Sequence, residues 1–507
     1  MSNMHRLHPV AYLITVVDVF KNYWYIFLIT FFNLLTGKLD YRFLSENMFA
    51  LLLLLFSIFL IIAGIIKDWT IRYWIESDKV IYKSGLFVKK ERELSIERIQ
   101  SIDITQPIIA RIFNAAVVHI KSPGESITLP GVKYDMAESI RTYLYKQKED
   151  EVPIHTDTNE IDEGAEEKVE EAISEGQVIF QISPNEMLLL IATSGGLGIF
   201  LAALFGGLSY IGLDKVIVNV VESMQGIVGY FIVPIIVAFV IVLLFVGVIV
   251  GGIIMYVRYY GYKITKHNDD FIIQYGLLER KTITVNKNRI QNVSVEEGGL
   301  ISRLLKIHSL NVGITSNDFK VEDSGDVILT PVIKQKESYE FLNTHFSEYN
   351  ITRPEPNVPL RSYRRYFQVT LAILFIIFTA VCSLLYYKDY MIPFYIVLAV
   401  GILLCILTVI SGIYSAKNSG TLIDNGDLNM LTTSSFIRKH YIIKRSKIID
   451  SSITQTFFTH RADIGSIDVK TAAGFTPKVV EVKHLEIKDA NEIFDYVKRG
   501  VADGESI

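Results

Sequence analysis

One stretch occurs three times, and that recurrence constrains the fold more than any other feature. Residues 82–122 read YKSGLFVKKERELSIERIQSIDITQPIIARIFNAAVVHIKS. The pattern returns from Gln274 and, more weakly, from Met430. Arg98-Ile99-Gln100 aligns with Arg289-Ile290-Gln291 and with Lys447-Ile448-Ile449. Gly85 and Gly276 keep the same offset from these triplets, and Ser434 takes that place in the third copy. A fixed internal period means one supersecondary unit repeated, here three times.

Each copy follows a pair of apolar segments, and mean hydropathy is +0.33, above that of a soluble protein. The pattern predicts six spans in three hairpins, near 23–35 and 49–66, 187–208 and 227–257, and 369–387 and 392–413. Residues 9–20 carry Asp18 and read as an interfacial helix leading into the first span. Cys382 and Cys405, the two cysteines, lie inside apolar runs, so no disulfide framework is implied. The N-terminus shows no cleavable signal pattern.

The predicted order is an interfacial helix and hairpin (1–70), a first module (71–147), an acidic linker (148–180), a second hairpin (181–257) and a second module (258–347). A Pro-rich linker (348–366), a third hairpin (367–413) and a third module (414–500) complete it. Within modules, strand-like alternation gives way at the end to helical spacing: Ile140, Tyr143 and Leu144, then Tyr339, Leu342 and Phe346, then Ile493, Tyr496 and Val497. Asp489 to Glu492 reads as a capping box opening the last helix. Across 149–175 acidic residues face a single lysine, Lys168, and the segment reads as an extended spacer or a tail competing for basic loops. Ser194, Gly198, Ala202 and Gly206 recur every four residues, and Gly247 with Gly251 forms a GxxxG; both read as helix packing, within the chain or between copies.

Hairpins place all three modules on one side. Lys21, Lys67, Arg72, Lys79, Arg258, Lys263, Lys266, Arg361, Arg364, Arg365 and Lys417 flank the spans on that side, against Lys38, Arg42, Lys215 and Lys388 in the hairpin loops. The bias predicts cytoplasmic modules and termini in a multi-pass protein of the cell membrane.

The Gly-Leu turns (Gly85-Leu86, Gly276-Leu277), the basic residues after them, Arg-Ile-Gln, and the later Arg111-Ile112 and Arg303-Leu304 resemble the second class of bacterial pleckstrin-homology (PH)-like domain. The arrangement resembles YdbT-like integral membrane proteins, in which three such domains each follow a membrane hairpin. Module three departs from the pattern at Ser434 and Ile449, and no Ile or Leu follows Arg461. The resemblance implies a membrane α plus β fold: six transmembrane helices and three small antiparallel barrels, each plugged by a C-terminal helix. It also implies a role in envelope maintenance or stress resistance, and a smaller membrane protein with one PH-like domain as partner.

Lys89, Lys90 and Arg92, then Arg280 and Lys281, then Arg438, Lys439 and His440 follow the turns. Near an anionic leaflet they are candidates for contact with lipid headgroups or a partner; the alternative is a solvated face or lysine protection of a hairpin edge. Arg98 and Arg289 read as structural, tying a loop carbonyl or carboxylate through the forked guanidinium. Gly85 and Gly276 read as positive-φ turn positions, and His119 as a strand residue rather than a ligand. There is no P-loop, GxSxG or HExxH, so no enzyme, metal or cofactor is implied. A net charge of −4 argues against nucleic acid. The span cores hold no charged residue, which lowers the case for an ion-coupled carrier but leaves lipid movement between hairpins. The sequence thus points to a membrane scaffold binding protein partners, lipids or a second copy of itself, with a transporter or lipid-handling assembly as the alternative.

Overall fold

A computed structural model describes residues 5–35, 48–76, 79–86, 88–99, 101–122, 125–150, 176–193, 242, 245–267, 270–315, 326–473 and 477–502. The chain divides into two compact units, residues 1–181 with 260–288, and 182–259 with 289–507.

Unit one runs β1 (His5–Arg6), α1 (Val10–Leu35), α2 (Met48–Thr70), β2 (Arg72–Ile75), β3 (Lys79–Ser84), β4 (Lys90–Ser95), β5 (Ser101–Gln106), β6 (Ala115–Ser122), β7 (Glu125–Lys133), α3 (Tyr134–Asp150) and β8 (Gln177–Gln181). It is completed by β9 (Lys263–His267), β10 (Asp270–Tyr275) and β11 (Arg280–Asn286). Unit two holds α4 (Pro184–Thr193), α5 (Phe245–Tyr259), β12 (Ile290–Glu297), β13 (Ile307–Ile314), β14 (Asp326–Lys334), α6 (Gln335–His345), α7 (Gln368–Tyr387) and α8 (Met391–Lys417). It ends with β15 (Gly420–Asp424), β16 (Asp427–Ser434), β17 (Ile437–Lys444), β18 (Ile448–Thr454), β19 (Ile464–Thr471), β20 (Lys478–Glu486) and α9 (Ile487–Ala502).

Each repeat contributes two antiparallel triplets of strands, and the sheets do not respect the repeat boundaries. One sheet is β1-β2-β3-β4 and another is β18-β19-β20. Between these in sequence, the last three strands of module one join the first three of module two in the order β7-β6-β5-β11-β10-β9-β8. The last three of module two join the first three of module three as β14-β13-β12-β17-β16-β15. Alternation is the cause at strand level: β2 and β10 bury every second residue, the pattern of a sheet with one face on a core.

Module one closes around Tyr73, Val80, Leu94, Ile102, Val118, Ile120 and Leu129, with Ala137 and Ile140 of α3 packed into the same core. Module three does the same with Met430, Ile443, Ile467, Val480 and Leu485 under Ala490, Ile493 and Val497 of α9. These strands and plugging helices fit PH-like β domains. Tyr143 is half-exposed, and the side chain of Leu144 lies outside the described residues. Gly85 and Gly276 adopt φ of 108° and 106°. A Cβ at Gly85 would stand 2.0 Å from the Val88 carbonyl oxygen, so only glycine fits. Module three lacks the glycine because its ladder continues to the Ser434–Ile437 pair, leaving a two-residue turn with Ser435 and Phe436 both at positive φ.

Two helical segments are long and apolar enough to cross a membrane, Leu360–Tyr387 and Val397–Lys417, among the described residues. Of the six spans expected, the third hairpin therefore meets this criterion among the described residues. Helices α1 and α2 coincide with the first expected hairpin, and α1 bends at Tyr23, where the interfacial segment was expected to pass into the span. Of the second hairpin, residues 194–241 lie outside the described set, including Gly198, Ala202 and Gly206. Gly247 and Gly251 lie buried in α5, whose Gly252 approaches Ile191 of α4. Helices α7 and α8 turn tightly at Lys388 and Asp389, and a Cβ on Gly401 would meet the Phe378 ring at 3.0 Å.

Most of the acidic linker, 151–175, also lies outside the described residues. The Pro-rich linker is no loose tether: Asn350 donates its amide to Asp427, Thr352 bonds Asp424, and Asn357 exchanges bonds with Thr421. One correction concerns the last cap. Helix α9 starts at Ile487, so Asp489 lies in its first turn, where its carboxylate accepts from the Asn357 amide at 3.1 Å. Capping boxes form elsewhere, by Ser183 with Glu186 at the start of α4 and by Thr456 with Thr459.

Candidate functional site

The features that recur around the repeated basic residues are the two junctions between modules. In the first, β11 runs antiparallel to β5, pairing Arg280 with Gln106, Lys281 with Thr105 and Thr282 with Ile104. In the second, β17 runs antiparallel to β12, pairing Arg438 with Glu297, Lys439 with Glu296, His440 with Val295, Tyr441 with Ser294 and Ile442 with Val293. The register is the same. Arg280 and Arg438 each stand nine residues before the Arg289 and Lys447 positions, and Gln106 and Glu297 each stand eight after Arg98 and Arg289.

The second junction encloses a charged core. Glu297, 1% exposed, takes ion pairs from Arg438 of β17 and from Arg353 of the linker, the latter at 2.8 Å. Lys439 meets Glu296 at 2.9 Å, and Arg438 also donates to the Asn418 side chain. Beside it lies a buried polar chain. His308 bonds Ser338, the Tyr339 hydroxyl lies 3.4 Å from His440 Nδ1, and His440 Nε2 lies 3.1 Å from Asn429 Oδ1. Burial holds His440 neutral, its pKa lowered to about 3, and lowers that of His308, while it pushes Tyr339 up to about 12. A neutral imidazole donates from one ring nitrogen and accepts at the other, so it suits a site between a hydroxyl and an amide oxygen.

An arginine clasps each junction from the one-turn helix after the paired strand. Arg111 of Ile108–Ile112 donates to the carbonyl of Leu277 at 3.3 Å. Arg303 of Leu300–Leu304 donates to the carbonyl of Phe436 at 2.9 Å and lies 4.4 Å from the Tyr414 ring centroid. Both carbonyls belong to the turn that precedes the neighbouring module's paired strand. These arginines stood out in the sequence only as part of a motif; nothing local marked them as the residues that hold one module to the next.

The expected site residues thus separate. Arg280, Lys281, Arg438 and Lys439 stand in the junction ladders, and Lys281 also meets Glu279 at 3.7 Å. Lys89, Lys90 and Arg92 are exposed, on or beside the outer edge of β4, with Arg92 donating to the Ser126 carbonyl. Arg289 donates to the Thr315 carbonyl, and Arg98 is exposed. His119 Nδ1 lies 3.1 Å from Thr128 Oγ1 across a strand pair. Among the described residues no group of His, Cys, Asp and Glu is placed to hold a metal ion.

A second feature lies on the hairpin α7–α8. A cleft of about 1040 Å³ is lined by Phe375, Phe378, Cys382, Tyr386, Phe394, Leu398, Gly401 and Cys405 among others, almost all apolar.

Comparison with known proteins accounts for the repeats. The chain is similar over 99% of its length, at 25% identity across 525 residues, to the whole of UPF0699 transmembrane protein YdbT of Bacillus subtilis (strain 168). Neither that name nor the family description is that of an enzyme. The bacterial PH domain family matches residues 16–148, 217–344 and 366–501, once for each repeat, and this chain belongs to that family.

Proposed function

We propose that this protein is an integral membrane scaffold whose PH-like modules face the cytoplasm and engage protein partners through their strand edges. The observation that supports this best is the junction between modules two and three, where the basic residues after the turn meet Glu296 and Glu297 of a neighbouring module. Sheet-edge pairing supplies main-chain affinity, and flanking charges select the partner. Lipid headgroups remain available to the exposed Lys89 and Lys90, and the similarity to a transmembrane protein fits a multi-pass location in the cell membrane. A smaller membrane protein with one PH-like module is a partner of matching chemistry, and envelope maintenance is the setting the resemblance suggests.

The test is native mass spectrometry of the intact chain from mild detergent. A stoichiometric protein partner or a defined oligomer is expected; a monomer carrying only lipid overturns the reading. Activity outside the cell from a phosphatase fused at residue 160 would reverse the orientation. The second reading, lipid handling, is favoured by the apolar cleft on α7–α8, and lipid retained there in stoichiometric amount would support it.

A further inference from the structure

The two junctions use up only part of the repeat's pairing capacity. Strand β4 occupies in module one the place that β11 and β17 hold in modules two and three, yet it ends its sheet. Strand β18 occupies in module three the place of β5 and β12, and it ends its own. Among the described residues one edge of each kind is therefore left over, and the two are complementary by the rule the chain applies twice internally. We infer that the protein assembles head to tail, with β4 of one copy adding antiparallel to β18 of a second copy in the register of the internal junctions.

The register is explicit. Lys89 stands nine residues before Arg98, and Gln455 eight after Lys447, so Lys89 faces Gln455. Lys90 then faces Thr454, Glu91 faces Ile453 and Arg92 faces Ser452. Gln455 is built like its counterpart in the first junction: its amide donates to the Ile464 carbonyl at 2.9 Å, as Gln106 donates to the Ala115 carbonyl at 3.2 Å. The clasp recurs as well. Arg461 takes the place of Arg111 and Arg303 beside the one-turn helix Phe457–His460, and its side chain is exposed. Its counterpart is the carbonyl of the exposed turn at Leu86.

A charged edge strand is also a means of preventing pairing. On β4, however, Glu91 and Glu93 are already paired within their own sheet, to Lys83 at 2.7 Å and Lys79 at 2.9 Å. The basic residues at its start match Arg280-Lys281 and Arg438-Lys439, which stand within paired strands. Exposed Ile449 on β18, and Phe457 and Phe458 just after it, offer apolar area for a neighbour to cover. A head-to-tail contact of this kind closes into a ring or extends as a filament, according to the rotation per copy.

The test uses the full chain in membranes with Cys382→Ser and Cys405→Ser. One tagged population carries Lys90→Cys and a differently tagged one carries Thr454→Cys. Oxidation is expected to give a dimer bearing both tags, about tenfold more than the off-register pair Lys90→Cys with Ser452→Cys, since direct partners lie closer than diagonal ones. Lys281→Cys with Thr105→Cys in a single chain must link internally, because it samples the same register at the first junction. Arg461→Ala is expected to lower the mixed dimer several-fold. Equal yields from in-register and off-register pairs overturn the inference, as does Thr454→Cys linking only to a different protein. Failure of the internal pair overturns it too, because the register is its premise.

Discussion

Arg303 donates to the backbone carbonyl of Phe436, 2.9 Å away, and so ties the one-turn helix of module two to the hairpin turn of module three. The same guanidinium donates to the Tyr414 hydroxyl and packs over that ring, so one side chain links two modules to the end of a membrane-length helix. Arg111 makes the corresponding bond to Leu277 at the first junction.

Arg303→Ala is therefore expected to loosen the second junction by about 1–3 kcal/mol, the worth of a charge-assisted bond with a cation–π contact. Arg303→Lys should recover little, since one ammonium lacks the fork that reaches both partners. Hydrogen exchange at residues 434–438 should speed up in both variants while exchange in β19 and β20 stays unchanged.

Glu297 is the buried anion between two arginines. Glu297→Ala leaves Arg438 and Arg353 without their counter-charge and should cost about 3–5 kcal/mol, the usual penalty for breaking a buried pair. The amides of β12 and β17 should then exchange faster by a factor of roughly 10² to 4 × 10³, the equivalent at about 1.4 kcal/mol per tenfold. Glu296→Ala, at a more exposed pair, should change little.

His440 makes the second junction sensitive to acid. Its folded pKa, about 3, lies below the unfolded value near 6.5, so below pH 6.5 the unfolded chain binds more protons than the folded one. Its contribution is fully present above pH 6.5 and is lost as pH falls toward 3. Between pH 6.5 and 5 the loss is about 2 kcal/mol. Thermal unfolding of the intact chain should show this slope, and His440→Gln should flatten it. His308 and His484 are shifted in the same direction and leave a smaller slope behind.

Gly401 sets how closely α7 and α8 approach, because the Phe378 ring occupies the space a side chain would need. Gly401→Leu should separate the helices at a cost of about 1–3 kcal/mol, typical of overpacking. Gly412, against Phe367, should behave alike. Disulfide formation between Cys382 and an engineered cysteine at Leu398 reports the spacing.

Much of this protein was legible in its residues because the signals are local. The threefold repeat, the strand alternation, the plugging helices and the glycine turns at Gly85 and Gly276 each depend on residues close in sequence. The family resemblance rested on the same residues and holds across all three repeats. Other features depended on partners far along the chain. No spacing reveals that β5 pairs with β11, about 180 residues on, rather than closing within its own module, since an edge strand offers the same N–H and C=O groups to any neighbour. For the same reason Arg438, read from sequence, was a candidate for lipid or partner contact or else part of a solvated face or a protected hairpin edge, with nothing to mark it as half of a buried pair. Folding decided the matter by setting Glu297 opposite it at 1% exposure, where a carboxylate is stable only when cations surround it.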